Sequence, residues 1–184
     1  MKKYIITSLI TFGSLFFISC TSQKAITASV ENNVSEEMIL GEFKQNELTK
    51  NKYADWYLPE YTDYEVESVK LKGLEDKVSQ YEIVTFVGTW CEDSKRELPR
   101  LYKILESVNY PIESKMKVYG VNRLKQTTKG DEEGKVITHV PTIIFYKDGK
   151  EVGRIVETPV TGYLEEDIAM IVKGTPLTPN YAEN

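Results

Sequence analysis

One cysteine of this chain stands where a thiol can do chemistry. Cys91 lies in the stretch Thr89-Trp-Cys-Glu-Asp-Ser-Lys-Arg96, between an apolar run and a segment with helical spacing. A thiol at a helix N-terminus faces unpaired amide groups and the positive end of the helix dipole, and both stabilise a thiolate. Because the thiolate is the nucleophilic form of cysteine, this placement predicts a reactive thiol.

Charged and polar neighbours act on the same thiol in both directions. Glu92 and Asp93 repel a thiolate, whereas Lys95 and Arg96 attract one, so the sequence leaves the balance open. Ser94 is the i, i+3 neighbour of the cysteine, and we expect its hydroxyl to hydrogen-bond the sulfur.

The composition excludes several classes of protein. The 184 residues, of which 41% are hydrophobic and 28% charged, are enough for one ordinary core. A net charge of -5 and the lack of a Lys/Arg-rich run argue against nucleic-acid binding. Cys20, Cys91 and His139 are the only cysteines and histidine, so a structural zinc site of these residues would lack ligands, and no cofactor is indicated.

The first residues have the pattern of a targeting segment. Lys2 and Lys3 precede an apolar stretch, Tyr4–Ile18, that is shorter than the ~20 residues of a membrane-spanning helix. Its end, Phe17-Ile-Ser-Cys20, resembles the lipobox of bacterial lipoproteins, although Phe17 replaces the usual leucine. We expect a signal peptide over 1–19 and a lipid on Cys20, which places the protein outside the cytoplasm, on the cell envelope. A secreted protein without lipid and an uncleaved anchor are the alternatives.

The next segments lead into the main domain. Residues 20–37 are polar and lack an apolar period, which predicts a flexible tether. Residues 38–62 are rich in aromatic side chains and predict an extension that packs on the domain. Asp63 is expected to cap a helix that continues through Val66, Val69 and Leu74.

Two elements position Cys91, one on each side. Glu82–Gly88 is an apolar, β-branched run that predicts a central strand buried on both faces. After the cysteine, apolar side chains at helical spacing predict a helix that ends near Pro111: Leu98, Leu101, Tyr102 and Leu105.

The remaining elements complete an α/β order. Lys117–Val121 predicts a strand, and the polar connection that follows is expected to hold a short helix around Glu132–Val136. Thr142–Tyr146 and Glu151–Val156, joined by an Asp-Gly turn, predict a β-hairpin. A last helix is predicted from its apolar face and its Gly174 cap: Leu164, Ile168, Ile171 and Val172.

Several motifs together resemble the thioredoxin family over roughly residues 63–175, within a domain that we place at 63–178. They are the Trp90-Cys91 turn, Pro99 eight residues after the cysteine, and Val140-Pro141 at the start of the hairpin. The resemblance implies an α/β fold with a mixed sheet, βαβ then ββα, flanked by helices. It also implies that the Trp-Cys turn is the active site and that Pro141 is cis and lies against the sulfur.

The chain departs from the dithiol members of that family at two positions. Its dithiol members have a second cysteine where this chain has Ser94, which cannot attack a mixed disulfide at neutral pH. They also have a buried aspartate, which handles the proton of that second thiol, where this chain has Thr85. The two losses agree, because a proton acceptor for an absent thiol has no task.

A narrower group shares more of these residues. Trp90-Cys91 with Asp93-Ser94, and the stretch Gly153–Glu157, are similar to a lipid-anchored, thioredoxin-like group of Bacteroidetes. The similarity implies a monothiol site on a membrane-tethered protein.

The residues leave three functions open. In the first, Cys91 exchanges with a protein or low-molecular-weight disulfide, and an external thiol resolves the mixed disulfide. Cys91 and Ser94 are then the catalytic residues, and the supporting residues around them are Trp90, Glu92, Asp93, His139, Val140 and Pro141. His139 stands two residues before Pro141, although an ordinary surface role suits a lone histidine better. The second is a non-enzymatic, membrane-tethered binding or holdase module that uses the groove beside Trp90 and Pro141 and keeps Cys91 only as a small buried hydrophobe. The third, peroxide reduction, lacks a supporting motif.

Overall fold

A five-stranded mixed sheet organises residues 37–182, the part of the chain that this computed structural model describes. In chain order the strands are β1 (Gly41–Phe43), β2 (Glu82–Val87), β3 (Met116–Gly120), β4 (Thr142–Lys147) and β5 (Lys150–Val156). Across the sheet the order is β1-β3-β2-β4-β5, so β2 is the central strand, as its apolar run predicts. The predicted fold class, a mixed sheet of βαβ then ββα flanked by helices, is confirmed.

Seven helices accompany these strands in the described residues. They are α1 (Gln45–Leu48), α2 (Asn51–Asp63), α3 (Ser68–Leu71), α4 (Glu75–Val78), α5 (Glu92–Ser107), α6 (Ile112–Lys115) and α7 (Leu164–Lys173). The longest, α5, buries the apolar face that its sequence predicts, and it connects β2 to the parallel strand β3. The end of β2 and the start of α5 are therefore close in sequence and in space.

The hairpin and the last helix follow the sequence pattern. Asp148 and Gly149 join β4 to β5 with φ angles of 51° and 72°, the left-handed pair that Asp-Gly favours in a two-residue turn. Gly174 caps α7 with a φ of 71°, and its amide donates to carbonyl groups of the last helical turn. Both predicted elements are confirmed.

The aromatic extension contributes β1, α1 and α2. Leu48 and Tyr57 are fully buried within the main core, and the ring of Tyr57 meets that of Tyr102 on α5 edge to face, with centroids 6.2 Å apart. The predicted leader of residues 1–19 and all of the predicted tether except Glu37 lie outside the described residues.

The predicted helix after Asp63 is wrong. Asp63 is the last residue of α2, and Val69 is 82% exposed. The buried carboxylate of Glu165 accepts hydrogen bonds from the Tyr64 hydroxyl at 2.8 Å and the Glu67 amide at 2.9 Å, which holds this segment out of a helix. Farther on, a glycine with a φ of 76° separates α3 from α4.

The short helix predicted around Glu132–Val136 is also absent from the structure. Residues 131–134 form a turn, and Gly134 and Val136 have φ angles of 75° and 52°, which a right-handed helix does not permit. The carboxylate of Glu132 instead accepts hydrogen bonds from the amide and hydroxyl of Thr127, at 3.0 and 2.8 Å.

The packing of the extension generates a prediction about stability. Leu48→Ala removes a fully buried side chain and should lower the free energy of unfolding by about 2–5 kcal/mol. Leu58→Ala removes a leucine that is 42% exposed in the same segment, and should cost less than about 1 kcal/mol. Urea unfolding of both variants measures the difference, and equal small effects would mean that the extension does not share the core.

Candidate functional site

Cys91 occupies the junction between the central strand and the longest helix. It is the N-cap residue of α5, with extended backbone angles, and its carbonyl accepts the first helical hydrogen bond from the Lys95 amide at 3.0 Å. Its own amide donates to the Gly88 carbonyl at 2.8 Å, which closes the turn after β2. The chain thus passes from strand to helix as the sequence predicts, and the thiol lies at the carboxyl end of β2.

The thiol lies against the loop that opens β4. The Cys91 sulfur donates a hydrogen bond to the Val140 carbonyl at 3.2 Å, and the following Val140–Pro141 peptide bond is cis. Cys91 is half-buried and is a free cysteine. The structure therefore brings Cys91 next to the Val140–Pro141 peptide, although Cys91 and Val140 are 49 residues apart in the sequence.

Ser94 does not act as the sequence predicts. Its side chain is 2% exposed, and its hydroxyl accepts a hydrogen bond from the Gly88 amide at 3.2 Å. Among residues 37–182 no hydrogen bond joins this hydroxyl to the Cys91 sulfur, so that expectation is wrong. The Gly88 amide follows the last residue of β2, so this hydrogen bond joins the first turn of α5 to the end of the strand.

Trp90 forms one wall of the site. Its indole N–H donates to the Val121 carbonyl at 2.9 Å, and the guanidinium of Arg123 lies 4.8 Å from the ring centroid. A Cβ on Gly88 would stand 2.6 Å from the indole ring, so only glycine leaves room for Trp90 in this position. The need for Gly88 is not evident from the sequence, because the contact depends on the turn geometry.

The charges around the thiol are paired. Glu92 contacts Lys95 and Asp93 contacts Arg96, each at 2.6 Å between nitrogen and oxygen. Both acids that the sequence sets against a thiolate thus have a cation beside them. Glu92 is exposed, so its pair contributes little to stability.

A buried carboxylate lies farther along the same face of α5. Glu97 is 3% exposed and accepts a hydrogen bond from Arg96 at 2.8 Å, while its second oxygen has no partner among the described residues. Burial raises the pKa of Glu97, because desolvation outweighs the attraction of Arg96 and Arg100. Arg96 therefore joins Asp93, near the thiol, to a carboxylate held in the protein interior.

Thr85 stands where the thioredoxin resemblance expects an aspartate. It lies on β2 between Val118 and Ile143 of the neighbouring strands and is fully buried. Its hydroxyl has no hydrogen-bond partner among the described residues, and such a buried group costs about 1–3 kcal/mol. No carboxylate is present there to take a proton from a group at position 94.

The His139 side chain contacts residues other than Cys91. Its ring stacks on the ring of Tyr181, with centroids 3.7 Å apart and an angle of 10°, and its Nδ1 lies 3.1 Å from the Thr138 hydroxyl. No hydrogen bond joins it to Cys91 in the part of the chain that the structure describes.

Two residues near the site were not predicted. The amide of Glu157 donates to the Pro141 carbonyl at 2.7 Å, from a backbone with a φ of 64° that favours glycine. Tyr181 lies beyond residue 178, where the predicted domain ends, and its hydroxyl donates to the Glu157 carboxylate. The sequence stretch Gly153–Glu157 marks the first residue, but nothing in the pattern of the C-terminal segment marks the second.

Two further observations concern residues 37–182 as a whole. They hold no cluster of three or more histidine, cysteine or acidic side chains that could bind a metal ion. None of their helices is both long enough and apolar enough to cross a membrane.

Comparison with known proteins agrees with this geometry. A sequence model of the thioredoxin family matches residues 65–170. Thioredoxin-2 of Saccharomyces cerevisiae is 34% identical over 74 residues, which are 40% of this chain. The chain spans 64% of the length of that relative.

Solved structures of thioredoxins are also similar. Thioredoxin of Malassezia sympodialis (Mala s 13) is 21% identical, with a TM-score of 0.35 over 51% of this chain and 76% of the other. Oxidised mitochondrial thioredoxin 3 of Saccharomyces cerevisiae is 20% identical, with a TM-score of 0.32 over 53% of this chain and 86% of the other. Since the family model covers more than half of the 184 residues, the chain belongs to the thioredoxin family.

Proposed function

We propose that this protein is a monothiol thiol–disulfide exchange protein in which Cys91 forms mixed disulfides that an external thiol resolves. The observation that carries the proposal is the position of the thiol, at the N-cap of α5 and 3.2 Å from the carbonyl that precedes cis-Pro141. Membership of the thioredoxin family supports redox chemistry at this turn.

The first step uses the Cys91 thiolate as nucleophile. Its sulfur attacks one sulfur of a substrate disulfide, a new S–S bond forms, and the other substrate sulfur leaves as a thiolate that takes a proton from water. Cys91 lies at the N-terminus of α5, the positive end of the helix dipole, and the Glu92 and Asp93 charges beside it are paired with Lys95 and Arg96.

The second step needs a partner. The chain has no thiol besides Cys20 and Cys91, and the buried Ser94 hydroxyl is not a nucleophile toward disulfides at neutral pH. An external thiolate therefore attacks the substrate sulfur of the mixed disulfide and releases the Cys91 thiolate. The product is a disulfide between the substrate sulfur and the external thiol, as in isomerisation or removal of a small thiol adduct. When a second external thiol cleaves that disulfide, the substrate is reduced.

The missing internal resolution predicts a trapped intermediate. In a Cys20→Ser background, incubation with the neutral reagent 2-hydroxyethyl disulfide should add one half-disulfide to Cys91. The adduct should persist after the reagent is removed and disappear when a small thiol is added, as intact-mass measurement shows. Cys91→Ala in the same background is the control and should gain nothing. A parent that stays unmodified while folded would instead favour the binding-module alternative.

Ser94 tests whether the site has the dithiol geometry of the family. Cα atoms of residues 91 and 94 in a first helical turn lie within the ~4.4–6.8 Å that a disulfide tolerates. Ser94→Cys should therefore form an internal disulfide, release its own mixed disulfides and reduce a protein disulfide with turnover. Ser94→Ala is the matched control, because it also loses the hydrogen bond from Gly88 and gains no thiol. If oxidised Ser94→Cys never loses two hydrogens by mass, the two positions are not juxtaposed.

Thr85 limits the reductase turnover that Ser94→Cys can restore. The new thiol at 94 lacks a proton acceptor, so its turnover should be incomplete. Adding Thr85→Asp should raise it further, at some cost in stability, because the position is fully buried.

We also propose that the protein is a lipoprotein of the bacterial cell envelope, on its extracytoplasmic side, as in the Bacteroidetes group that it resembles. The support is the sequence alone: two lysines, an apolar stretch and the Phe17-Ile-Ser-Cys20 ending, in that order. A tethered monothiol protein would meet its substrates and its resolving thiol outside the cytoplasm.

Detergent partitioning tests the anchor. The parent should enter the detergent phase, and Cys20→Ser should leave it, because the acylated sulfur is lost. Cys91→Ser is the control and should partition like the parent. Equal retention of Cys20→Ser in the detergent phase would overturn the lipoprotein assignment.

A further inference from the structure

The C-terminal segment 179–182 returns to the part of the fold that holds Cys91. The Asn180 side-chain amide donates to the carbonyl groups of Val156 at 3.2 Å and Thr158 at 2.9 Å. The next residue, Tyr181, places its ring flat against His139. The segment therefore covers the end of β5 and the loop before β4 together.

Tyr181 contacts two residues that adjoin cis-Pro141. His139, under its ring, stands two residues before Pro141. Glu157, which accepts its hydroxyl hydrogen bond, donates its amide to the Pro141 carbonyl at 2.7 Å. The ring thus occupies the surface beside the peptide that the Cys91 sulfur touches.

Two carboxylates act on the Tyr181 hydroxyl. The hydrogen bond to Glu157 raises the pKa of Tyr181, and the negative charge of Asp93 adds to the shift. Asp93 is two residues after Cys91, in the first turn of α5.

The segment is attached by few contacts. Tyr181 is 56% exposed, and a cavity of about 340 Å³ lies between the segment and the fold. Four residues of the segment line it with four of the fold, Val136, Thr138, Arg154 and Val156. A terminal segment held by a few side-chain hydrogen bonds and one ring contact over an open cavity opens more readily than the domain unfolds.

We propose that residues 179–182 form a gate beside Cys91 that admits low-molecular-weight disulfides and excludes disulfides on folded proteins until Tyr181 is displaced. A small disulfide needs only the sulfur and its immediate surroundings. A protein disulfide brings flanking chain that must lie on the surface around Pro141, where His139 and Glu157 are covered by Tyr181. This inference rests on the proposed function, and it assigns low-molecular-weight disulfides as the substrates of the closed site.

The test compares two maleimides of different size, because alkylation reports access to Cys91 without requiring disulfide exchange. In a Cys20→Ser background, rates with N-ethylmaleimide and with a maleimide carried on a folded, cysteine-free protein are measured for three chains. These are the parent, Tyr181→Ala, and a chain that ends at Thr178. Tyr53→Ala, which removes a tyrosine ring from α2, is the matched control, and thermal melts establish that each chain is folded.

The gate predicts a change in only one of the two rates. The protein-borne maleimide should react at least about fivefold faster with Tyr181→Ala and with the shortened chain, while N-ethylmaleimide changes less than about twofold. Unchanged rates, equal changes in both rates, or a rise with Tyr53→Ala of the same size would overturn the gate. A parent that alkylates but never reacts with a disulfide would contradict the proposed function and leave this comparison valid.

Discussion

The turn from β2 into α5 is the constraint on which the site depends. A buried central strand has to end and a helix has to begin within four residues, 88–91, while every buried amide keeps a partner. The chain meets this demand with the Cys91 amide on the Gly88 carbonyl and the Gly88 amide on the Ser94 hydroxyl. Glycine at position 88 leaves the space that Trp90 fills. The thiol is thereby fixed at 3.2 Å from the Val140 carbonyl.

That same arrangement explains how the turn holds its shape with a serine at position 94. A serine at position 94 is buried and bonds to the strand, so it supports the turn on which Cys91 sits. Thr85 on β2 carries a buried hydroxyl with no hydrogen-bond partner among residues 37–182, at the position where the thioredoxin resemblance expects an aspartate. The two residues agree with the proposed monothiol exchange, in which another molecule completes the reaction.

Sequence reasoning succeeded where the pattern is local. The apolar β-branched run of β2, the helical spacing of α5 and the Asp-Gly turn of the hairpin each carry their own signal, and the structure has all three. The family resemblance supplied the cis bond at Pro141 and the expectation that this proline lies against the sulfur, which no local pattern contains, and the structure places the preceding Val140 carbonyl 3.2 Å from the sulfur.

The failures share one feature, because each depends on a specific contact that neither apolar spacing nor local propensity marks in the sequence. The helix expected after Asp63 is absent because Glu165, about 100 residues away, binds Tyr64 and Glu67. The expected bond from Ser94 to sulfur is replaced by one to the strand that precedes it. Tyr181 has no periodic neighbours to mark it, and only the folded chain places it on His139.

The reactivity of Cys91 in the folded state tests the central claim most directly. In a Cys20→Ser background, the rate of alkylation by iodoacetamide at neutral pH is compared between the native protein and the same protein unfolded in urea. A nucleophilic thiol at the N-cap of α5 should react in the native state at least as fast as in the unfolded chain. A thiol that becomes reactive only on unfolding would be a structural cysteine, and it would contradict exchange chemistry at this site.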